Sequence, residues 1–199
     1  MAILPIAILA GIATRAFAAP NAAAAQTMTI DHVTLYGPPD NSPPGDITQF
    51  GSGHAGGVGT FDDPTTFATD QNEFAPGTLV YYPFLQRYFV MQDECVECDA
   101  DFNNGILHID LWVGGTLNDD ASAILACEDS LTRDNMPVIV NPGPNEPVFN
   151  GGAGGPIFNS SDGSCNQPGG GTGTTGTTGT TGTTGTTGTT GSTGPTGGS

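Results

Sequence analysis

Short runs of β-forming residues, separated by glycine and proline, recur along the middle of the chain and exclude a helical bundle. The chain holds 31 glycines and 16 prolines among 199 residues, and each of these residues costs stability inside a helix. The runs have no βαβ rhythm, so the pattern is typical of a small β-barrel or sandwich. They occupy residues 33–36, 78–82, 87–91, 108–113 and 138–140.

Helices play a minor part in this prediction. Residues 122–131 are predicted to form the one clear helix. Asp63 and Pro64 indicate a turn and a second, short helix start over residues 63–68, with Asp63 placed to cap it. Residues 37–59 form a long loop rich in glycine, proline and serine. We therefore expect a mainly β fold with one or two short helices and long Gly/Pro loops.

Both ends of the chain are set apart from the folded domain by their composition. Residues 1–18 are an apolar stretch that ends in Ala16-Phe17-Ala18, the pattern of a cleaved secretory signal. The alternative, an uncleaved anchor, is disfavoured because the apolar run is too short to span a bilayer. Residues 19–168 then form one domain, and we expect the protein to be secreted, extracellular or bound in a cell wall.

The C-terminal tail, residues 169–199, is rich in glycine and threonine, with glycine at every third position from Gly173 to Gly197. This period permits a collagen-like triple helix, which would make the protein a trimer. The tail has little proline and no apolar residues, so an unstructured stalk is favoured and the protein is expected to be a monomer.

The charge balance excludes two classes of partner. Acidic residues number 20 against three arginines, and the formal net charge is −17. Such a chain repels phosphate, so nucleic-acid binding through basic contacts is excluded. The same repulsion excludes binding to anionic lipid surfaces, and no membrane partner is expected once the signal is removed.

The four cysteines, Cys95, Cys98, Cys127 and Cys165, predict two disulfides in a secreted chain. Three pairings are possible, and the sequence does not choose among them. Zinc binding at Cys95 and Cys98 would need two further ligands at similar spacing, and Cys127 and Cys165 stand alone. A redox motif would need Cys-x-x-Cys at a helix start in a βαβ setting, which is not predicted here. We expect no metal and no cofactor.

Three segments in order resemble the double-psi β-barrel superfamily. They are residues 33–37, residues 74–83, and residues 87–93 followed by His108-Ile109-Asp110-Leu111. The superfamily includes the three-aspartate domain of lytic transglycosylases, rare lipoprotein A-like domains, expansins, barwin and family 45 endoglucanases. The resemblance covers residues 33–115. It implies a six-stranded double-psi barrel with a glycan-binding groove over one face.

The resemblance also implies roles for individual residues. Asp110 matches the acid that attacks the glycosidic oxygen, and Asp93 matches an aspartate that polarises the site. Tyr36 matches an aromatic residue of the groove, with Thr34 two residues before it on the same face. We add His108 and Trp112, the neighbours of the acid, to the predicted sugar-binding residues.

Elementary chemistry supports an acid at position 110. Cleavage of a glycosidic bond needs a carboxylic acid that stays protonated near neutral pH. Burial beside Leu111 or Trp112, or the charge of Asp93, would raise the pKa of Asp110 in this way. The alternative is a structural aspartate that bonds a loop backbone. His108 alternates with Asp110, so the two side chains share a face, and His108 either orients the acid or is an ordinary half-buried histidine.

Other candidates have weaker signals. His54 sits in a glycine-rich loop, where most histidines are simply solvated. Asn159 begins a glycosylation acceptor, Asn159-Ser160-Ser161. Aspartates at 62–63, 99/101 and 119–120 lack the EF-hand spacing, so calcium is disfavoured. The aromatic residues of one barrel wall could stack on sugars but are more often core residues; they are Tyr81, Tyr82, Phe84, Tyr88 and Phe89.

Two hypotheses follow. The first is a secreted protein that cleaves, loosens or binds cell-wall polysaccharide, with Asp110 as the general acid of a lytic transglycosylase, an endoglucanase or an expansin-like protein. The second is a non-catalytic binding or protease-inhibiting effector with a barwin-like barrel.

Overall fold

A computed structural model of the chain describes residues 23–169. The predicted signal segment, residues 1–18, and the tail from residue 170 onward lie outside the described residues. Among the described residues, no helix is both long and apolar enough to cross a membrane.

Eight strands and two helices follow one another along the described chain. The strands are β1 (Gln26–Tyr36), β2 (Thr65–Ala68), β3 (Leu79–Tyr82), β4 (Arg87–Asp93), β5 (His108–Trp112), β6 (Arg133–Val140), β7 (Phe158–Asn159) and β8 (Ser164–Cys165). The helices are α1 (Val96–Phe102) and α2 (Ala121–Leu131).

Six strands form a closed barrel in the order β1-β5-β2-β4-β3-β6. The pairs β1–β5 and β2–β4 are parallel, and the other four pairs are antiparallel. Strand β6 closes the barrel by pairing with both β1 and β3. The predicted mainly β class, with a six-stranded barrel and two short helices, is confirmed. The barrel also uses β6 and the start of β1, both of which lie beyond residues 33–115.

The predicted helix start at residues 63–68 is wrong. Residues Thr65–Ala68 form β2, which lies between β4 and β5 and has all four residues buried. Asp63 caps no helix. Its carbonyl oxygen instead accepts hydrogen bonds from the amides of Val58, Gly59 and Thr60 at 3.0–3.2 Å. A strand buried on both faces shows no alternation, so local sequence does not distinguish it from a helix start.

Helix α1 corrects a second expectation, because Cys95 and Cys98 do lie at a helix start. Cys95 is the N-cap residue of α1, and its sulfur accepts a hydrogen bond from the Cys98 amide at 3.1 Å. The helix follows β4 directly and leads toward β5. Cysteine is outside the usual set of N-cap residues, so the helix start carries no standard signal.

The barrel interior holds the aliphatic and aromatic side chains of alternate strand positions. Val33 and Leu35 of β1 and Ile109 and Leu111 of β5 all belong to this core. The intervening residues of the same strands therefore point to the outer face. Of the barrel-wall aromatic residues, Tyr81, Tyr82, Tyr88 and Phe89 are at most 2% exposed and Phe84 is partly buried, so the core interpretation of them is confirmed.

The segment after β6 is held against the barrel by a buried arginine and a disulfide. The Arg87 guanidinium is fully buried and donates to the carbonyl oxygens of Val58, Gly155 and Pro156. The Cys127–Cys165 disulfide joins α2 to β8. These contacts bring residues 155–165 into the same folded unit as the barrel.

Candidate functional site

The outer face of the parallel β1–β5 pair gathers the predicted site residues. Residues two apart on a strand share a face, and in-register partners on adjacent strands lie side by side. Alternation along β5 places His108 and Asp110 on one face, and their partners on β1 therefore lie beside them on that face. The register pairs His32 with His108, Thr34 with Asp110, and Tyr36 with Trp112.

A cavity of about 520 Å³ opens over this face. Helix α1 and the loop after β1 provide its other walls. Four carboxylate-bearing residues line it, and no arginine is among the described residues that do so. The lining residues are Thr34, Leu35, Tyr36, Asp40, Asn41, Ser42, Ala68, Glu94, Cys95, Val96, Glu97, His108 and Asp110.

Asp110 lines this cavity as a carboxyl group that holds its proton. Burial raises the pKa of Asp110 to about 7, and the hydrogen bond from Thr34 acts in the opposite direction. The charges of Asp40, Glu97 and Asp93 raise the pKa further. A substantial fraction of Asp110 is therefore protonated near neutral pH, as a general acid requires.

Asp110 is the end of a chain of side-chain hydrogen bonds. The Thr34 hydroxyl lies 2.7 Å from Oδ1 of Asp110 and 2.8 Å from Nε2 of His108. The other ring nitrogen of His108, Nδ1, lies 2.8 Å from Oδ2 of Asp101 on α1. His108 is thus fixed at both ring nitrogens and contacts the acid through Thr34. The hydrogen bond of the Asp110 carboxyl is with the Thr34 side chain, and no loop amide among residues 23–169 donates to it.

Asp93 is nearby but differs from Asp110 in its bonding. Its Oδ1 accepts hydrogen bonds from the amides of Gln49 and Glu94, both at 2.9 Å, and its Oδ2 accepts one from the Tyr36 hydroxyl at 3.2 Å. Burial raises its pKa, while these hydrogen bonds lower it. Asp93 is not among the residues that line the cavity. It anchors Tyr36, and it reaches Asp110 only through its charge.

Trp112 also lies outside the cavity. Its ring meets the edge of the Tyr36 ring at 5.1 Å between centroids, and the residue is 4% exposed. Trp112 lines a separate cavity of about 180 Å³ with Gly56, Gly57 and Thr65. Of the predicted sugar-binding residues, Thr34, Tyr36 and His108 line the cavity together with Asp110. Trp112 packs against the Tyr36 ring outside the cavity.

Two acids that sequence reasoning missed stand beside the site. Glu128 of α2 is 4% exposed. Burial and the neighbouring Asp40 raise its pKa to about 8, and the charge of Asp110 adds to this effect. A signal for Glu128 was present in the sequence. It falls on the buried helix face with Ile124, Cys127 and Leu131, at the spacing of core positions.

Glu73 holds the strand that carries the acid. Its Oε2 accepts hydrogen bonds from the His108 amide at 3.0 Å and from the Thr69 hydroxyl at 3.2 Å. Burial raises the pKa of Glu73 to about 7, against the effect of these two hydrogen bonds. Thr69 in turn donates to the His108 carbonyl at 2.7 Å, so this pair fixes the start of β5.

The cysteines form the two predicted disulfides, paired Cys95–Cys98 and Cys127–Cys165. The Cys95–Cys98 pair lies beside His108, with the sulfurs and a ring nitrogen within 4.8 Å of one another. In the disulfide form, neither sulfur is a thiolate that could bind a metal. Asn159, the predicted glycosylation acceptor, is half-buried in β7, and its side-chain oxygen accepts bonds from Ser161.

The fold and the site together define a mainly β domain, a closed six-stranded mixed barrel with an acidic cavity on its outer face. The chain belongs to the family described as the DDB_G0273701 N-terminal domain, whose model matches residues 27–166. That match includes all six barrel strands, β1 but for its first residue, and both disulfides.

A relative in Dictyostelium discoideum bears the name uncharacterized protein DDB_G0273701/DDB_G0273221. It is 34% identical to this chain over 122 residues, which is 59% of this chain and 53% of the relative. The chain thus spans about half the length of this relative. No solved structure matches the chain.

Proposed function

We propose that this domain is a secreted double-psi β-barrel that acts on polysaccharide, with Asp110 as its general acid. The observation that carries the proposal is a carboxyl group with a pKa of about 7 that opens onto a cavity of about 520 Å³. The closed, mixed six-stranded barrel is compatible with the double-psi topology. Two disulfides suit an oxidising, extracellular environment.

The chemistry expected of Asp110 is protonation of a glycosidic oxygen. A sugar seated in the cavity would receive a proton from Asp110 as the bond to its leaving group weakens. Thr34 would then stabilise the resulting carboxylate through its hydroxyl, which lies 2.7 Å from Oδ1. Tyr36, held by Asp93, provides a phenol ring to the cavity wall.

The hydrogen bonds of Asp93 argue against it as the second carboxylate of a hydrolytic reaction. Each Asp93 oxygen already accepts at least one hydrogen bond, and the residue is absent from the cavity wall. Two-carboxylate hydrolysis needs a second group free to activate water or to attack the sugar. Asp40, Glu94 and Glu97 line the cavity and could fill this role, whereas transglycosylation needs only the acid, so the proposal includes both reactions. A non-cleaving binding domain is the alternative when no sugar is released.

The charge of the cavity favours a glycan without carboxylates. Asp40, Glu94, Glu97 and Asp110 line it, and the chain has no lysine. An anionic polysaccharide would be repelled from this wall, whereas a neutral or amine-bearing one would not. Cellulose, chitin and partly deacetylated chitin are therefore better substrates in this proposal than peptidoglycan.

Release of soluble sugar from these polymers tests the proposal, with binding to the same polymers measured in parallel. Wild type should bind and release sugar, and Asp110→Asn should bind but release at least about 100-fold less. Asp134→Asn, at an exposed carboxylate bonded to His32, is the matched control and should behave as wild type. Equal release by Asp110→Asn would overturn the acid role. Binding without release by wild type would leave the non-cleaving alternative, and neither binding nor release would overturn the proposal.

A further inference from the structure

Four side chains form one continuous hydrogen-bonded chain that leads away from the acid. The order is Asp110, Thr34, His108 and Asp101, and the three links measure 2.7, 2.8 and 2.8 Å. Three elements contribute to it: β1 provides Thr34, β5 provides Asp110 and His108, and α1 provides Asp101. Each link is short enough for a strong hydrogen bond.

Counting protons along this chain gives two complete arrangements. In the first, protonated Asp110 donates to the Thr34 oxygen, Thr34 donates to Nε2 of neutral His108, and Nδ1–H donates to the Asp101 carboxylate. In the second, Thr34 donates to the Asp110 carboxylate, so Nε2 of His108 must donate to Thr34. Because Nδ1 still donates to Asp101, His108 is then an imidazolium. The two arrangements have the same total charge and differ by one proton moved from Asp110 to His108.

We infer that Asp101, His108 and Thr34 form a proton relay with Asp110, in which one proton is shared between the acid and His108. This inference deepens and rests on the proposed function, because the shared proton is the one that Asp110 would give to substrate. When Asp110 gives its proton to the Thr34 oxygen, Thr34 gives its own proton to Nε2 of His108, and the reverse transfer restores the protonated acid. No covalent bond other than O–H and N–H forms or breaks.

Exposure increases along the far part of the relay. The Asp101 side chain is 30% exposed, and the His108 side chain is 9% exposed. Asp101 therefore contacts solvent and holds the His108 ring through its hydrogen bond to Nδ1. His108 and Asp101 act through Thr34, so both are positioning residues.

Other charged and titratable groups face the relay from the elements packed against it. Glu73 accepts from the His108 amide, and the His32 ring lies 5.6 Å from the His108 ring. The sulfurs of the Cys95–Cys98 disulfide lie within 4.8 Å of a His108 ring nitrogen, and the disulfide does not titrate. The groups that act on Asp110 by charge or proximity are Tyr36, Asp40, Asp93, Glu97 and Glu128.

Nuclear magnetic resonance on the full chain tests the relay without substrate. The carboxyl carbon of Asp110 and the ring nitrogens of His108 are followed through one pH titration. A shared proton gives one apparent midpoint at both residues. In Thr34→Val, which cuts the chain, the two midpoints should separate by at least about one pH unit. Asp101→Asn should shift the Asp110 midpoint, because it removes the charge that favours the imidazolium.

His54 offers a matched control. Its Nδ1 lies 3.3 Å from an aspartate, Asp46, and His54 is not among the residues that line the cavity. His54→Asn should leave the shared midpoint in place. The relay is overturned when the His108 ring signals stay constant through the Asp110 midpoint in wild type, or when Thr34→Val keeps the midpoints together. The proposed function can fail on its own. In that case the protein neither binds nor releases sugar, while Asp110 and His108 still share one midpoint in the titration.

Discussion

The hydroxyl of Thr34 donates a 2.7 Å hydrogen bond to Oδ1 of Asp110, its register partner across the parallel β1–β5 pair. Of the influences on Asp110, this hydrogen bond is the one that lowers its pKa, whereas burial and the surrounding carboxylates raise it. The pair therefore sets how strongly the acid holds its proton.

Removal of this hydrogen bond should raise the pKa of Asp110. Thr34→Val deletes a donor to the charged form, so the pKa should rise above about 7 by about one unit, as expected for one hydrogen bond to a carboxylate. The carboxyl-carbon resonance of Asp110 reports this change. Thr116→Val, which removes an exposed hydroxyl bonded to Asp119, is the control. An unchanged or lower Asp110 pKa in Thr34→Val would contradict this view of the pair.

Stability should fall as pH rises, because three partly or fully buried carboxyls hold their protons in the folded state. The pKa values of Glu73 and Asp110 are raised to about 7 and that of Glu128 to about 8. The unfolded chain loses these protons near pH 4 to 5, so the folded state binds more protons between that pH and about 8. The stabilisation is complete below pH 4 and is lost through pH 7 to 8. Denaturant unfolding at pH 5 and pH 8 measures it.

Glu128→Gln isolates the largest of these effects. The variant has no charge to bury at pH 8. Its loss of unfolding free energy between pH 5 and pH 8 should therefore be smaller than that of wild type by about 3 kcal/mol. Asp62→Asn, at an exposed carboxylate that is not among the groups acting on Glu128, should follow the wild-type curve. Equal slopes for wild type and Glu128→Gln would show that Glu128 is ionised in the folded protein.

Arg87 should be intolerant of lysine. Its guanidinium is fully buried, donates to backbone carbonyls from two loops and stands over the Phe149 ring at 5.0 Å. Lysine keeps the charge but cannot reproduce the planar fork. Arg87→Lys should therefore lower the unfolding free energy by about 2–3 kcal/mol.

The control for this change is Arg133→Lys. Arg133 is half-buried and donates to the nearby carbonyls of Ser130 and Thr132, so the loss should stay below about 1 kcal/mol. Equal losses for the two variants would mean that the hydrogen bonds of the planar Arg87 guanidinium do not stabilise the loops.

The two disulfides should differ in what they stabilise. Cys127–Cys165 closes a loop with a sequence separation of 38 residues, so replacing both cysteines by alanine should cost about 3–4 kcal/mol. Cys95–Cys98 has a separation of three residues and should contribute less to global stability, on the order of 2 kcal/mol. Cys95 lines the cavity, so loss of this disulfide should instead change the cavity wall. A shift of the nuclear magnetic resonance signals of the His108 ring measures this change. A larger global loss for the Cys95–Cys98 pair would contradict this assignment.

Sequence reasoning succeeded where hydrophobic alternation was plain. In β5, Ile109 and Leu111 point inward, and His108 and Asp110 point outward, as a two-residue period requires. Strand β2 was missed because burial on both faces removes that period. Helix α1 was missed because its N-cap residue is Cys95.

The site was predictable in part for the same physical reasons. Thr34, Asp110 and His108 lie on regular strands, so their relation follows once the strands pair. Asp101 reaches His108 only because α1 folds between β4 and β5, and a missed helix concealed this contact. The role of Asp93 depends on amides of a distant loop residue, Gln49, and of Glu94, and no local pattern encodes such a contact.

Titration of the Asp110 carboxyl carbon in the folded protein, with and without cello- and chito-oligosaccharides, is the decisive measurement of its role as an acid. We expect a midpoint near pH 7 that moves when a sugar occupies the cavity. A midpoint near pH 4, the ordinary range of an aspartate, with no response to either sugar, would contradict it.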